Sequence, residues 1–155
     1  MYLVDHPEVI ANIRGLPGRI EALAVGLDRE AATRQPHADE WSVLEVCCHL
    51  RDFGEYSVLR ITRLATEDEP VLAPYDEVAL AIERNYRGDE LSRVLPPLRS
   101  HWTALADLLA SLPEAAWKRA GSHPERADVT IASEARRYAN HARMHFEQIE
   151  AALQR

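Results

Sequence analysis

Two histidines near the end of the chain have the spacing that lets two imidazoles reach one metal ion. His141 and His145 are four residues apart, so on a helix they lie on one face, one turn apart. Their stripe also contains Tyr138, Ile149 and Ala152, which predicts that it faces the interior. Buried imidazoles without partners cost free energy, whereas a metal ion satisfies both lone pairs. This pair alone is a weak signal, and a metal site needs a third ligand from another helix.

His49 is the candidate for that third ligand. Ser42 and Glu45 have the spacing of a capping box, which predicts a helix start seven residues before His49. At about 1.5 Å per residue, His49 lies roughly 10 Å beyond this start. The midpoint of the other two histidines lies roughly 15 Å before the end of the last helix and roughly 20 Å after its start. The depths therefore differ by about 5 Å if the two helices are antiparallel and by about 10 Å if they are parallel.

The other four histidines do not support a metal site. His6, His37 and His123 adjoin prolines or lie in polar segments, and we expect them to be solvated surface residues. His101 lies beside Trp102 on a predicted helix, where we expect it to be partly exposed.

Three neutral imidazoles would leave the charge of a divalent ion intact and at least one coordination position open, as in catalytic sites. Such an ion can activate water for hydrolysis or convert a bound thiol to a thiolate for transfer. The types and spacing of these residues do not distinguish hydrolysis from thiol transfer. Asp52 follows His49 by three residues, so it is predicted to orient an imidazole or to act as a base, with a solvated surface carboxylate as the equal alternative.

Two arginines and two cysteines near His49 are further candidates for roles in the chemistry. Arg60 and Arg63 are candidates to steer an anionic thiol, although exposed helix arginines are common. Cys47 and Cys48 are adjacent, and neighbours on a helix point in different directions, so no disulfide between them is expected. We expect both cysteines to be packing residues in a protein of the reducing cytoplasm.

The elements that must position these residues are four amphipathic helices, at about residues 6–26, 42–66, 89–112 and 130–153. In the first, Asp5 is a plausible N-cap and Pro17 predicts a kink or break. Pro96 and Pro97 predict a break or a late start in the third. A short helix is expected at about residues 77–84, and strand patterns are nearly absent.

Four amphipathic helices predict an all-α fold, a four-helix bundle, in one domain over residues 1–155. The connection between the second and third helices, residues 67–90, has about twenty residues, against the usual two to eight for adjacent antiparallel helices. We therefore expect a long crossover, which can make the second and fourth helices antiparallel. The depths of the three histidines favour the same topology.

Composition excludes several classes of function. Lysine and arginine number 18 and acidic residues 25, so the net charge is −7, and no basic surplus is available to bind nucleic acid. No apolar run reaches the length of a membrane span, and no secretory signal is expected.

Two motifs about ninety residues apart carry a family likeness. The segment WSVLEVCCHLRDFGEYSVLRI, residues 41–61, resembles the second helix of the DinB-like superfamily, with its Trp-Ser start and His-Leu pair. The segment NHARMHFEQI, residues 140–149, resembles the last helix of that family, with its pair of histidines and a following Gln-Ile. The resemblance covers essentially the whole chain in helix order.

The resemblance implies an up-down-down-up four-helix bundle, often a homodimer. It also implies a divalent metal, zinc or nickel, with His49, His141 and His145 matching the family's three ligands. Members of the family include thiol transferases that use bacillithiol or mycothiol, and others regarded as metal-dependent hydrolases. We therefore expect a metal-dependent transferase or hydrolase of a small-molecule substrate. The competing hypothesis is a non-catalytic dimeric bundle with a structural metal or a small-molecule binding role.

Overall fold

In the computed structural model, which describes residues 6–154, four long helices form a bundle. They are α1 (His6–Ala24), α3 (Val43–Thr66), α5 (Leu91–Ser111) and α6 (Ile131–Leu153). Two short helices lie in the connections, α2 (Arg29–Thr33) and α4 (Glu77–Glu83). Within the described residues the only β pairing is isolated bridges, so the prediction of an all-helical fold is confirmed.

The direction of each helix follows from the side chains that meet across the bundle. Arg14 pairs with Asp107, and Arg99 pairs with Glu21, so α1 and α5 are antiparallel. Leu44 and Leu91, near the starts of α3 and α5, line one cavity. Gly54 lies ten residues after Leu44 on α3, and it contacts the indole of Trp102, which lies eleven residues after Leu91 on α5. These two helices are therefore parallel.

The remaining helix pair, α3 and α6, is antiparallel. His49 meets His141 and His145, whereas Arg60, eleven residues later, meets Glu134 near the start of α6. The bundle is thus up-down-down-up, and the antiparallel arrangement expected from the depths of the histidines is confirmed. The residues of the crossover run along the outside of α3 and reach it through α4 and the turn at Tyr86–Gly88.

Two helix starts are defined by capping boxes. Ser42 and Glu45 cap α3 reciprocally, and Thr130 and Ser133 do the same for α6. These caps fix where each helix begins and therefore the depth at which its histidines lie. The predicted N-cap Asp5 lies outside the described residues.

The prolines do not interrupt the helices as the sequence predicted. Pro17 lies buried inside an unbroken α1, and α5 begins at Leu91, ahead of both Pro96 and Pro97. A proline removes one backbone hydrogen bond and disfavours the helix locally. Here the buried apolar faces of α1 and α5 pack against each other, and this tertiary packing outweighs the local preference.

A close approach between α3 and α5 holds the centre of the bundle together. The indole Nε1 of Trp102 donates a 2.7 Å hydrogen bond to the carbonyl of Leu50. A Cβ at Gly54 would lie only 2.7 Å from the same nitrogen, so glycine is required for this contact. The approach fixes α3, and with it His49, against the core.

Candidate metal centre

Three imidazoles and one carboxylate converge between α3, α6 and the crossover. Nε2 of His141 lies 2.9 Å from Nε2 of His49 and 3.1 Å from Nε2 of His145. Oε2 of Glu77 lies 3.5 Å from Nε2 of His49. One ligand atom from each of these four residues falls within 4.8 Å of all the others.

The spacing of the nitrogens suits a small divalent ion. A tetrahedral zinc ion with bonds of about 2.0–2.1 Å separates its nitrogen ligands by about 3.3–3.4 Å. The two observed separations are a few tenths of an ångström shorter. Small ring rotations would place all three nitrogens at bonding distance, so the donor set fits a metal ion.

The imidazole of His145 is held in the tautomer that a metal requires. Its Nδ1 donates a 2.8 Å hydrogen bond to Oε1 of Gln148, which leaves the lone pair on Nε2, the atom that faces the other imidazoles. Gln148 lies three residues further along α6, where its side chain is within reach of the ring. It belongs to the sequence motif of the last helix, but its role follows only from the contact.

The aromatic side chains around His49 fix the orientation of its ring. The rings of Trp41, Phe53 and Tyr75 lie with centroids 5.2 Å, 5.7 Å and 6.0 Å from it. Phe53 also packs against His141 at 4.3 Å. These contacts exclude water from His49, which is fully buried, and they limit the movement of the imidazoles.

Burial keeps the imidazoles neutral. Desolvation, together with the neighbouring imidazoles, lowers the pKa of His49 to about 2. Desolvation, with the charges of His145 and Arg137, lowers the pKa of His141 to about 3. Desolvation also lowers the pKa of His145, against the effect of the hydrogen bond that it donates to Gln148. A neutral imidazole offers its lone pair to a metal without first losing a proton.

Glu77 is the residue of this group that sequence analysis missed. It is the first residue of α4, whose N-cap Asp76 accepts a hydrogen bond from the backbone of Ala79. Its side chain is 45% exposed, so it lies at the solvent side of the centre. Among 25 acidic residues nothing in the spacing of Glu77 distinguishes it, because the path of the crossover determines its position.

Asp52 lies in a different hydrogen-bond network from the imidazoles. Its carboxylate accepts hydrogen bonds from Arg51, from Nη1 of Arg84 at 2.9 Å and from the hydroxyl of Tyr86 at 2.5 Å. None of its hydrogen bonds within residues 6–154 goes to an imidazole. Arg84 and Tyr86 follow α4 directly, so Asp52 fastens the crossover to α3 and thereby positions Glu77.

The other candidate residues lie outside the centre. Arg63 binds Glu67 and the carbonyl of Val71, and Arg60 lies near Glu134, further along the groove between α3 and α6. Cys47 and Cys48 are buried and unbonded to each other, as expected for packing residues. Desolvation raises the pKa of each thiol to about 12, which disfavours the nucleophilic thiolate near neutral pH.

The remaining histidines lie outside the four-residue group. His37 is exposed as expected, whereas His6 and His123 are half-buried and not the solvated surface residues that the sequence predicted. His6 stacks on Trp117 with ring centroids 3.8 Å apart, and its Nδ1 lies 3.3 Å from Glu114. Its side chain is only 17% exposed, because the start of α1 packs against the turn at Glu114–Lys118. His101 is partly exposed, as expected, with Nε2 4.0 Å from Glu55.

No helix within residues 6–154 combines the length and apolarity needed to cross a membrane.

The chain is similar to bacterial proteins with related names. A protein of Halalkalibacterium halodurans named "putative metal-dependent hydrolase" is 30% identical over 149 residues, which cover 93% of this chain and 84% of the relative. One of Oceanobacillus iheyensis with the same name is 28% identical, covering 96% of this chain and 86% of the relative. YfiT of Bacillus subtilis, also so named, is 29% identical over 146 residues, covering 90% and 79%.

Structural comparison gives the same fold. The structure of YfiT from Bacillus subtilis, described as "a probable metal-dependent hydrolase with an unusual four-helix bundle topology", superposes with a TM-score of 0.90. The superposition covers 99% of this chain and 89% of YfiT, at 21% sequence identity. The sequence profile of the DinB superfamily matches residues 13–149. With four-helix topology, histidine motifs and profile in agreement, the chain belongs to the DinB superfamily.

Proposed function

We propose that this protein is a divalent-metal-dependent hydrolase of a small-molecule substrate, with the metal held by His49, His141 and His145. The observation that carries the proposal is the convergence of three neutral Nε2 atoms beside one partly exposed carboxylate, Glu77. The names of the relatives support the same class of activity. Zinc and nickel are the metals to test first.

A divalent ion bound by three imidazoles would supply Lewis-acid chemistry, which polarises a carbonyl or phosphoryl oxygen and activates water. Glu77 is placed to accept the proton of the attacking water at Oε2 and to return it to the leaving group. Gln148 keeps the proton of His145 on Nδ1 throughout, so the ring stays a ligand. Phe53 and Trp41 keep bulk water away from His49.

Thiol transfer is the second reaction that the sequence left open. The two cysteines of the chain are buried with raised pKa values, so a transferase mechanism would need an external thiol such as bacillithiol or mycothiol. Hydrolysis requires only water and the carboxylate of Glu77. We therefore place hydrolysis first, and a thiol panel run beside the hydrolysis assay tests the alternative.

The test is metal analysis and turnover on three proteins. We expect the wild type to bind one divalent ion per chain. His145→Ala is expected to lose stoichiometric metal while keeping its helical fold. Glu77→Gln is expected to keep the metal but to hydrolyse a panel of esters, amides and phosphoesters at least 100-fold more slowly. Glu83→Gln, at the other end of α4, is the matched control. Full metal content in His145→Ala would overturn the site.

The same variants separate catalysis from a structural role. If Glu77→Gln loses metal as readily as His145→Ala and no protein turns over any substrate, the carboxylate is a fourth ligand of a closed structural site. That result would contradict the proposed hydrolase and support the non-catalytic bundle. Assembly as a homodimer stays a prediction, and light scattering at micromolar concentration tests it.

A further inference from the structure

A second buried polar cluster occupies the groove between α3 and α6. At its centre is the carboxylate of Glu134, which is fully buried. It accepts hydrogen bonds from Nη1 of Arg126 and, at 2.7 Å, from the hydroxyl of Tyr138. Arg60 and Arg137 approach it at 3.5 Å and 3.9 Å without hydrogen bonding to it. We define Arg60, Arg126 and Arg137 as the arginine cluster.

The arginine cluster has more positive charge than its carboxylate balances. Three guanidinium groups face one carboxylate, and the net charge of the group is therefore +2. Four buried nitrogens of these arginines lack a hydrogen-bond partner among the described residues: Nε and Nη1 of Arg60, Nη2 of Arg126 and Nε of Arg137. Buried, unpaired donors on charged groups are costly. An acidic protein therefore has a local site that is short of anionic acceptors.

Arg60 is the most enclosed member of the cluster. Its side chain is 3% exposed, and only Nη2 is satisfied, by the carbonyl of Ala73 and the hydroxyl of Tyr56. Arg126 and Arg137 are 27% and 38% exposed, so the cluster is reached from solvent on their side. Arg137 also lines a surface cavity of about 450 Å³.

The cluster lies next to the metal centre along the same groove. Arg137 precedes His141 by four residues, which is about 6 Å along α6. Its guanidinium lies 6.0 Å from the centroid of the Phe53 ring and 5.7 Å from that of Tyr138. Because Phe53 also packs on His141, the ring of Phe53 contacts both the arginine cluster and the metal centre.

We propose that the arginine cluster binds an oxyanion group, a carboxylate or a phosphate, of the small-molecule substrate whose reacting group lies at the three-histidine centre. Guanidinium groups match these anions because their paired N–H donors form two parallel hydrogen bonds. That the anion belongs to the substrate rests on the proposed function. The oxyanion site itself stands without it.

A purely structural ion pair makes a different prediction for Arg137. Burial and the charge of Arg126 lower the pKa of Arg137, so the fold disfavours its charge. If the cluster awaits an anion, Arg137→Gln leaves the stability of the protein without added anion unchanged or higher, because it relieves repulsion. If Arg137 is a structural partner of Glu134, the same substitution lowers the stability.

Binding of inorganic phosphate and of succinate, measured by calorimetry and by thermal unfolding in a chloride buffer, tests the proposal. The proteins are wild type, Arg137→Gln, Arg126→Gln and the control Arg143→Gln, which changes an exposed arginine of α6 that does not line the cavity beside Arg137. We expect the wild type to bind at least one of the two anions saturably. The affinity for that anion should be at least tenfold weaker in Arg137→Gln and Arg126→Gln, and within twofold of the wild-type affinity in the control. Arg137→Lys, which keeps the charge and loses the paired donors, is expected to lie between.

Metal removal keeps this test separate from the proposed function. Chelated wild type and His145→Ala are expected to retain the anion affinity of the loaded protein, even if no hydrolysis is found. Loss of binding on chelation would show that the anion binds the metal, and equal binding by Arg137→Gln and Arg143→Gln would exclude the cluster. Either result, or a wild type that binds neither anion, overturns the proposal.

Discussion

Asp52 on α3 and Glu134 on α6 are both buried carboxylates that accept hydrogen bonds from a tyrosine hydroxyl and from arginine. Asp52 is bound by Arg51 and Arg84, and Arg51 also binds Asp89, so two cations meet two carboxylates. No buried side-chain nitrogen or oxygen of this network, within residues 6–154, lacks a partner. Glu134 instead faces three arginines that retain four unpaired buried nitrogens.

This difference in charge balance separates a structural role from a binding role. The balanced network of Asp52 joins α3 to the residues that follow α4, and its charges are paired with one another. Its function is to hold the crossover, and therefore Glu77, against the bundle. The unbalanced group around Glu134 has donors that nothing in the described chain uses.

The largest effect is expected from Glu134→Gln. It removes the charge that the three arginines share, and loss of one partner of a buried ion pair costs about 3–5 kcal/mol. Urea unfolding in chloride buffer measures the change. Because the substitution raises the local charge from +2 to +3, added phosphate should stabilise this variant more than the wild type. A loss below about 1 kcal/mol would contradict the buried charge balance described here.

A smaller loss is expected from Asp52→Asn. Asparagine keeps a carbonyl acceptor for Tyr86, and Arg51 keeps Asp89, so the cost is that of weakened hydrogen bonds to charged groups, about 1.5–3 kcal/mol. Phosphate should restore little of this loss, because the substitution leaves a net charge of only +1, and Arg84, the cation that loses its carboxylate, is 48% exposed and solvated by water. Glu55→Gln, an exposed position one turn along α3, is the control in the same unfolding assay. Restoration of Asp52→Asn by phosphate would remove the distinction between the two clusters.

The smallest change in stability per residue is expected from the titration of the histidines in the metal-free protein. The imidazoles of His49 and His141 have lowered pKa values in the fold, so the unfolded chain takes up protons first as the pH falls below about 6.5. Stability should therefore decrease from pH 6.5 to 5.5, by about 1 kcal/mol per histidine. His141→Gln should reduce this decrease by about 1 kcal/mol, the share of one imidazole, and His101→Gln should not.

Glu134 adds a second decrease at lower pH. Burial works to raise the pKa of its carboxyl, but hydrogen bonds from Arg126 and Tyr138 and the nearby guanidinium charges lower it below the ordinary value of 4.5. Its contribution is therefore present above pH 4.5 and lost as the pH falls toward the folded pKa. Glu134→Gln should abolish this second decrease alone. Unfolding that is independent of pH between 7 and 4 in the metal-free wild type would contradict both assignments.

The sequence predicted the long helices and the three histidines because both depend on local periodicity. The capping box at Ser42 sets the start of α3, and the four-residue spacing places His141 and His145 on one face. The antiparallel match of depths then brings His49 to them. The helix breaks that Pro17 and Pro96 predicted as one outcome do not occur, because a local preference of a few kcal/mol is offset by packing that the sequence pattern does not quantify.

The sequence by itself determined the four amphipathic helices, the capped start of α3 and the depth of each histidine, since these follow from intervals of three and four residues. Only the tertiary structure decided that Glu77, and not Asp52, is the carboxylate beside the imidazoles. It also decided that Arg60, Arg126 and Arg137, from three separate segments, share one carboxylate. Long-range contacts and charge balance depend on which segments meet in space, and a twenty-residue crossover has too many possible paths for local periodicity to specify one.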